Sequence, residues 1–215
     1  MNKLEKMELK DELKYEGAVV LTYRIEYPEI ISSDYTYGQN VFNRYNKEKA
    51  ITYENYVRTQ LYKNAIELYK YNSSNGYPTM AYEIITEYEI TYNEDWALSL
   101  YFDSYEFSGG AHGITMRTSQ TWDLLSAVLL PLYYFYPNNP YFLLEILKSI
   151  LEQIRIQIDE GENQYFDNYC ELMIESFNPE NYYLTKDSIA LYFQQYDIAP
   201  YSSGIPVFNI PYVSI

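Results

Sequence analysis

From Met80 to Trp122 the sequence carries strand-like alternation three times in succession. Met80, Tyr82, Ile84, Tyr88, Ile90 and Tyr92 share one face while Glu83, Glu87 and Glu89 occupy the other, which is the pattern of a half-exposed antiparallel strand. Asn93 to Asp95 supplies a turn, and Trp96, Leu98, Leu100 and Phe102 return in register within Trp96 to Phe107. After the run SGGAHG, Ile114, Met116 and Trp122 alternate with Thr115, Arg117, Ser119, Thr121 and Asp123. Three consecutive strands joined by short turns predict a meander, and the rest of the chain has to pack against it.

The flanking segments supply helices and further strands. Gly17 to Tyr27 has strand character that Pro28 closes. Val57, Leu61, Ala65 and Leu68 recur at spacings of four, four and three, so a helix should run up to the stop at Asn72 to Pro78. Asn139 fits a helix N-cap with Pro140 at the first helical position, after which Leu143, Leu147, Ile150, Ile154 and Ile158 form one face until Gly161. A second helix is expected around Phe166 to Phe177. Strands follow at Tyr182 to Leu184, Ser188 to Gln194 and Val207 to Val213, the last an edge or an irregular strand because Pro206 and Pro211 cannot donate to a ladder. The sum predicts an α+β fold, an antiparallel meander sheet with helices packed on one face. Three regions are expected: a charged segment over 1–16, a strand-plus-helix lobe over 17–78, and a sheet-rich lobe with two helices over 79–215, compact with the first lobe.

Composition narrows the function classes. The 215 residues carry 15 basic and 30 acidic side chains, a formal charge of -15 that repels nucleic-acid phosphates and attracts basic partners. Tyrosine is unusually frequent, 29 against nine Phe and two Trp, and its ring and hydroxyl suit half-wet sheet faces and contact surfaces. The single cysteine, Cys170, excludes an intramolecular disulfide, and its place among Phe166, Tyr169, Met173 and Phe177 predicts a buried, inert thiol. One His and one Cys leave the usual zinc ligand sets without members, so no metal and no cofactor is implied. No export signal and no stretch of about 18 apolar residues is visible, which reads as cytoplasmic for the chain as given, or extracytoplasmic if a leader was removed.

Two segments are candidates for function. Around the only histidine, His112, the residues Ser108, Gly109, Gly110 and Gly113 allow positive φ angles and close backbone approach. His112 fits a structural bond to a turn carbonyl or a ligand contact. Catalysis would need a partner such as Ser108, Asp123 or Asp197 within hydrogen-bond reach. The run lacks the Lys-Ser/Thr tail of a phosphate-binding loop. A glycosidase pair from Asp123 and Asp197, or from Glu83, Glu87 and Glu89, competes with the plainer reading of solvated carboxylates. In Tyr192 to Phe208, the residues Gln194, Gln195, Asp197, Tyr201, Ser202 and Ser203 form a polar, aromatic loop pinned by Pro200, Gly204 and Pro206, a mixture that paratope-like surfaces favour.

FSGGAHG, the T-x-R-T-S-x-T-W-D strand after it, the PNNP helix start and the loop YFQQYDIAPYSSGIP together resemble the bacterial family labelled domain of unknown function 3298. The region before Pro78 is similar to the smaller domain labelled 4163 that often precedes it. The resemblance implies the extracellular part of RsiV-type anti-sigma factors, which binds the basic muramidase lysozyme. The chain lacks that family's sigma-binding and membrane segments, and Leu125, Ser126 and Ala127 stand where a Gly-containing turn is usual. The signalling role is therefore not carried over. The leading expectation is a non-enzymatic binding domain, its surface formed by the His112 turn and the Gln194 to Gly204 loop, for a cell-envelope protein such as lysozyme or a glycan such as peptidoglycan. Its expected contacts are Ser108, Gly109, Gly110, His112, Gly113, Gln194, Gln195, Asp197, Tyr201, Ser202 and Ser203. The alternatives are a small carbohydrate-active enzyme using His112 or Asp197, and an envelope or spore structural protein that self-associates through Tyr-rich strands.

Overall fold

The structure is a computed structural model that describes residues 1–161 and 164–212; Val213, the expected end of the last strand, lies outside the described residues. A six-stranded sheet has the order β1 (Lys3–Tyr15), β2 (Ala18–Ser32), β3 (Tyr82–Glu94), β4 (Ala97–Phe107), β5 (Ile114–Asp123) and β6 (Val128–Leu129). Between β2 and β3 lie α1 (Thr36–Tyr56) and α2 (Tyr62–Asn75), joined by a π-helical turn at Val57–Leu61. After β6 come α3 (Phe142–Asp159) and α4 (Tyr169–Ser176), then a three-stranded antiparallel sheet of β7 (Tyr182–Leu184), β8 (Ser188–Tyr192) and β9 (Val207–Pro211). The fold is α+β, as the alternation predicts. β9 is an edge strand, one of the two forms its prolines allow.

The chain forms two compact units, one of residues 1–89, 102–116 and 124–127, the other of 90–101, 117–123 and 128–215.

In the first unit, β1 and β2 form a long antiparallel hairpin. Its two-residue turn uses Glu16 (φ 50°) and Gly17 (φ 86°), the paired positive angles that match the twist of a hairpin. β1 occupies what the sequence offers only as a charged segment. Its odd residues Met7, Leu9, Leu13 and Tyr15 pack against the core while the even residues from Lys6 to Lys14 alternate Lys and Glu. β2 runs on through Pro28, which faces Lys6 of β1. Pro28 does not close the strand because β3 pairs with β2 only over Leu21 to Ile25, so the missing donor removes no bond on that side. That pairing is parallel. A parallel neighbour requires a crossover, and α1 and α2 provide it, so this sheet is mixed where the meander reading expects it to be antiparallel.

Val57, Leu61 and Ala65 lie at or below 3% exposure and pack with Val20, Leu21, Tyr23, Ile25 and Ile84, with Leu68 at the rim. The predicted stop is Gly76 in the left-handed conformation (φ 71°), where only glycine avoids strain. Asn43 holds α1 to β2, its amide accepting from Ile30 N–H (2.8 Å) and donating to Ile30 C=O (2.9 Å). Met80 stands before β3 and is 57% exposed, outside the face the alternation assigns it.

In the second unit, Ile146, Ile150 and Ile154 of α3 enter the core with Met173, Leu191, Phe193, Ile198 and Phe208. The helix begins two residues later than its sequence signal, with Tyr141 at the N-cap. Asn139 instead accepts from Tyr141 N–H (3.0 Å) and donates to Glu145 (2.6 Å). The core stripe runs through Ile146, Ile150 and Ile154, and Leu143 is 39% exposed. Helix α4 starts at Tyr169, so Met173, Leu172 and the flanking Phe177 pack inward, and Cys170 is exposed where the stripe reading expects burial.

A polar bond set sits in this core. The Ser99 hydroxyl accepts from Leu184 N–H at 2.9 Å and lies 2.8 Å from the Thr121 hydroxyl, with Ser99 fully buried. Ser99→Ala should leave a buried N–H and a buried hydroxyl without that partner, lowering stability by roughly 2 kcal/mol. Urea denaturation measures it. A midpoint unchanged from wild type would show that neither group depends on Ser99.

Candidate functional site

The SGGAHG turn belongs to the first unit. Gly109 and Gly110 adopt φ 95° and 97°, a region L side chains avoid. A Cβ on Gly113 would lie 2.5 Å from the Tyr105 ring and 2.6 Å from the Glu106 carbonyl oxygen. The glycines are therefore required by the turn and by its close approach to β4. His112 is exposed, and its Nδ1 lies 3.0 Å from the Gly113 carbonyl, the turn-carbonyl bond that a structural histidine makes. Ser108 is exposed beside it.

The second segment belongs to the second unit, and there the expected residues divide by role. The Gln194 amide spans the backbone of Arg117, accepting from its N–H at 2.9 Å and donating to its C=O at 2.7 Å. Gln194 so imitates one step of a neighbouring strand and fixes the loop to β5. Asp197 closes the turn, its carboxylate accepting from Gln194 N–H at 2.7 Å while its own N–H donates to Gln194 C=O at 3.1 Å. Burial raises the Asp197 carboxyl above its ordinary value and the Gln194 N–H partly offsets that shift. The turn forces Tyr196 to φ 70° and leaves it 47% exposed. Its ring lies 5.9 Å from that of the partly exposed Tyr201 at an interplanar angle of 33°. Ser202 is exposed, and Ser203 ties the loop to the Gln164 carbonyl at 2.9 Å.

Beneath the loop lies a feature the sequence analysis does not single out. The Arg117 guanidinium stacks on Tyr101 at 3.8 Å and approaches Tyr192 at 5.8 Å, with Tyr183 5.1 Å from Tyr101. The Tyr192 hydroxyl lies 3.1 Å from Ser119 and donates to the Arg117 carbonyl at 3.4 Å. Arg117 and Ser119 of the T-x-R-T-S strand and the residues of the QQYD loop thus form one supported platform. Gln194 and Asp197 hold it, and Tyr196, Tyr201 and Ser202 face outward. Only the strand's Arg could have signalled this, since its partners are 75 and 77 residues away.

Among the described residues no group of three His, Cys, Asp or Glu side chains could hold a metal ion, and no helix is long and apolar enough to cross a membrane.

Two family models match this chain: residues 15–115 match that of the deacetylase PdaC, and residues 137–213 that of the protein of unknown function DUF3298. The crystal structure of a DUF3298 family member from Bacteroides fragilis is similar over 99% of this chain and 91% of its own, with a TM-score of 0.74 at 20% identity. A DUF3298 family protein from Pseudomonas aeruginosa is similar over 99% and 92%, with a TM-score of 0.63 at 17% identity. At these identities the likeness establishes the fold. No curated protein matches the chain significantly.

Proposed function

For a chain that carries a DUF3298 region at residues 137–213, we propose a binding role without catalysis, in which the 194–204 loop contacts a component of the cell envelope. The observation that carries this reading is the division of labour in the loop. Gln194 and Asp197 are spent on fixing its backbone, while the paired rings of Tyr196 and Tyr201 and the Ser202 hydroxyl are presented outward. Rigid tyrosines next to small polar groups give contact area at low entropic cost.

The formal charge of -15 favours a basic protein as the occupant, and lysozyme is the candidate that the resemblance to RsiV-type domains supplies. Peptidoglycan glycan is the second. The exposed Ser108 and His112 are proposed as a separate contact. The PdaC match brings deacetylation to mind, but the residues it covers include one histidine and, among the described residues, no metal-ligating group of three.

Isothermal titration with lysozyme and with peptidoglycan fragments tests the reading. Binding of lysozyme should weaken as salt rises, whereas glycan binding should respond little. The double variant Tyr196→Ala, Tyr201→Ala should lose about 30-fold in affinity, as expected for hot-spot aromatics, with an unchanged melting temperature. Absence of heat with every ligand from the wild-type protein would remove the proposal.

A further inference from the structure

The outer edge of β1 is the longest strand edge in the molecule that no described strand covers. β1 ends the six-stranded sheet, and its 13 residues pair with β2 on one side only. An open edge of this length is a template for another strand unless its side chains forbid pairing. Lysines usually do forbid it. Here they alternate with glutamates on one face, in the order Lys6, Glu8, Lys10, Glu12, Lys14, while Met7, Leu9, Leu13 and Tyr15 line the face toward the core.

That order is self-complementary. When two copies of Lys3–Tyr15 overlap along their whole length in antiparallel fashion, residue i opposes residue 18 − i, and Leu9 lies on the two-fold axis. Lys6 then faces Glu12, and Glu8 faces Lys10, each pair occurring twice by symmetry. Displacing one copy by two residues in either direction sets Lys10 against Lys10 or Glu8 against Glu8. The register of greatest overlap is therefore also one of opposite charges. On the other face Leu9 meets Leu9 across the axis, with Met7 opposite Asp11 on either side and Asp11 already paired with Arg58.

The Tyr62 hydroxyl already donates to the Lys14 carbonyl at 2.6 Å, which confines the central ladder to Lys6 through Glu12. Inside one chain, Lys6 reaches Glu26 at 2.9 Å and Lys10 reaches Glu8 at 2.6 Å. Lys6 and Lys10 keep 57% and 70% of their side-chain surface exposed, which leaves them accessible to a second partner.

We propose that β1 is the interface for a second copy of this chain, joining two sheets edge to edge in an antiparallel dimer. Two chains of charge -15 repel at a distance. At physiological salt that repulsion is screened beyond about 8 Å, and directly opposed side chains at about 5 Å decide the association.

Sedimentation equilibrium of the full chain at physiological salt, from micromolar to about 1 mM, should show a reversible monomer to dimer transition. Lys10→Glu places like charges opposite each other twice and should weaken the dimer about tenfold. The double variant Glu8→Lys, Lys10→Glu restores opposite pairs in the same register and should restore the wild-type dissociation constant. Far-UV circular dichroism checks that each variant is folded. A monomer throughout the range overturns the proposal. So does a dimer that Lys10→Glu leaves intact, because then another surface or another register holds it.

Discussion

Replacing Gly38 by alanine is expected to lower stability by roughly 3 kcal/mol. Gly38 lies in the first turn of α1 and is buried. A Cβ there would stand 2.0 Å from the Leu124 carbonyl oxygen, 2.7 Å from its carbon and 2.8 Å from its Cα. All three are backbone atoms, so no side-chain rotation relieves the clash. Two effects compete. Alanine in a helix gains about 1 kcal/mol over glycine, while forcing α1 from the turn after β5 costs about 1–3 kcal/mol or more. Overlap with a backbone at 2.0 Å puts the cost at or above the top of that range, so destabilisation wins. For a chain of this size the melting temperature should fall by about 6–12 °C. Asn40→Ala, on the exposed face of the same helix, should leave it unchanged or slightly raised. Equal behaviour of the two variants would mean that α1 can move from Leu124 at little cost.

Alkali should unfold the protein steeply once the pH passes 10. Burial pushes the hydroxyls of Tyr53 and Tyr136 up to about 12, with nearby Glu106 and Glu145 respectively adding to the shift. Burial raises Tyr182 further still, and its hydroxyl donates to the Leu130 carbonyl at 2.6 Å. The native state therefore keeps protons that the unfolded chain releases near pH 10. The stabilisation tied to these protons is fully present below pH 10 and is lost as the pH rises toward 12. Three groups give a slope of up to about 4 kcal/mol per pH unit. Residual solvent around the partly exposed Tyr53 reduces it toward about 3. Between pH 10 and 12 this removes about 6–8 kcal/mol, enough to unfold a domain in the lower half of the usual range of about 5–15 kcal/mol. Circular dichroism should be lost in one cooperative step between pH 10 and 12, and the last part of the tyrosinate absorbance should appear with that step. A fold that circular dichroism shows intact through pH 12 would contradict it.

Periodicity made β3, β4 and the core positions Val57, Leu61 and Ala65 legible, because each is a local pattern that burial enforces. What it could not reveal was decided by distant partners. In β1 the apolar face is broken by Asp11, whose carboxylate serves Arg58 at 2.5 Å. The strand then reads as a charged run until its partner is known. The parallel pairing of β2 with β3 depends on a crossover through two helices. At the site, Ser108 to Gly113 could be recognised as a tight turn from its glycines alone. The outward role of Tyr196 and the inward role of Gln194 could not, since residues so close in sequence differ only through contacts with β5.

The two bonds of Gln194 to Arg117 also work as a gauge of strand position. Both go to the main chain, so their recognition of position 117 does not depend on the side chain there. Along a strand the N–H and C=O groups of one residue point to one side and those of the next to the other. A single-residue insertion upstream in β5 would therefore present Gln194 with the wrong side of the backbone, whereas an insertion of two would present the right one. Asn43 grips Ile30 in the same way at the end of β2. Length changes in these two strands should consequently be tolerated in even steps, a parity rule written into two amides.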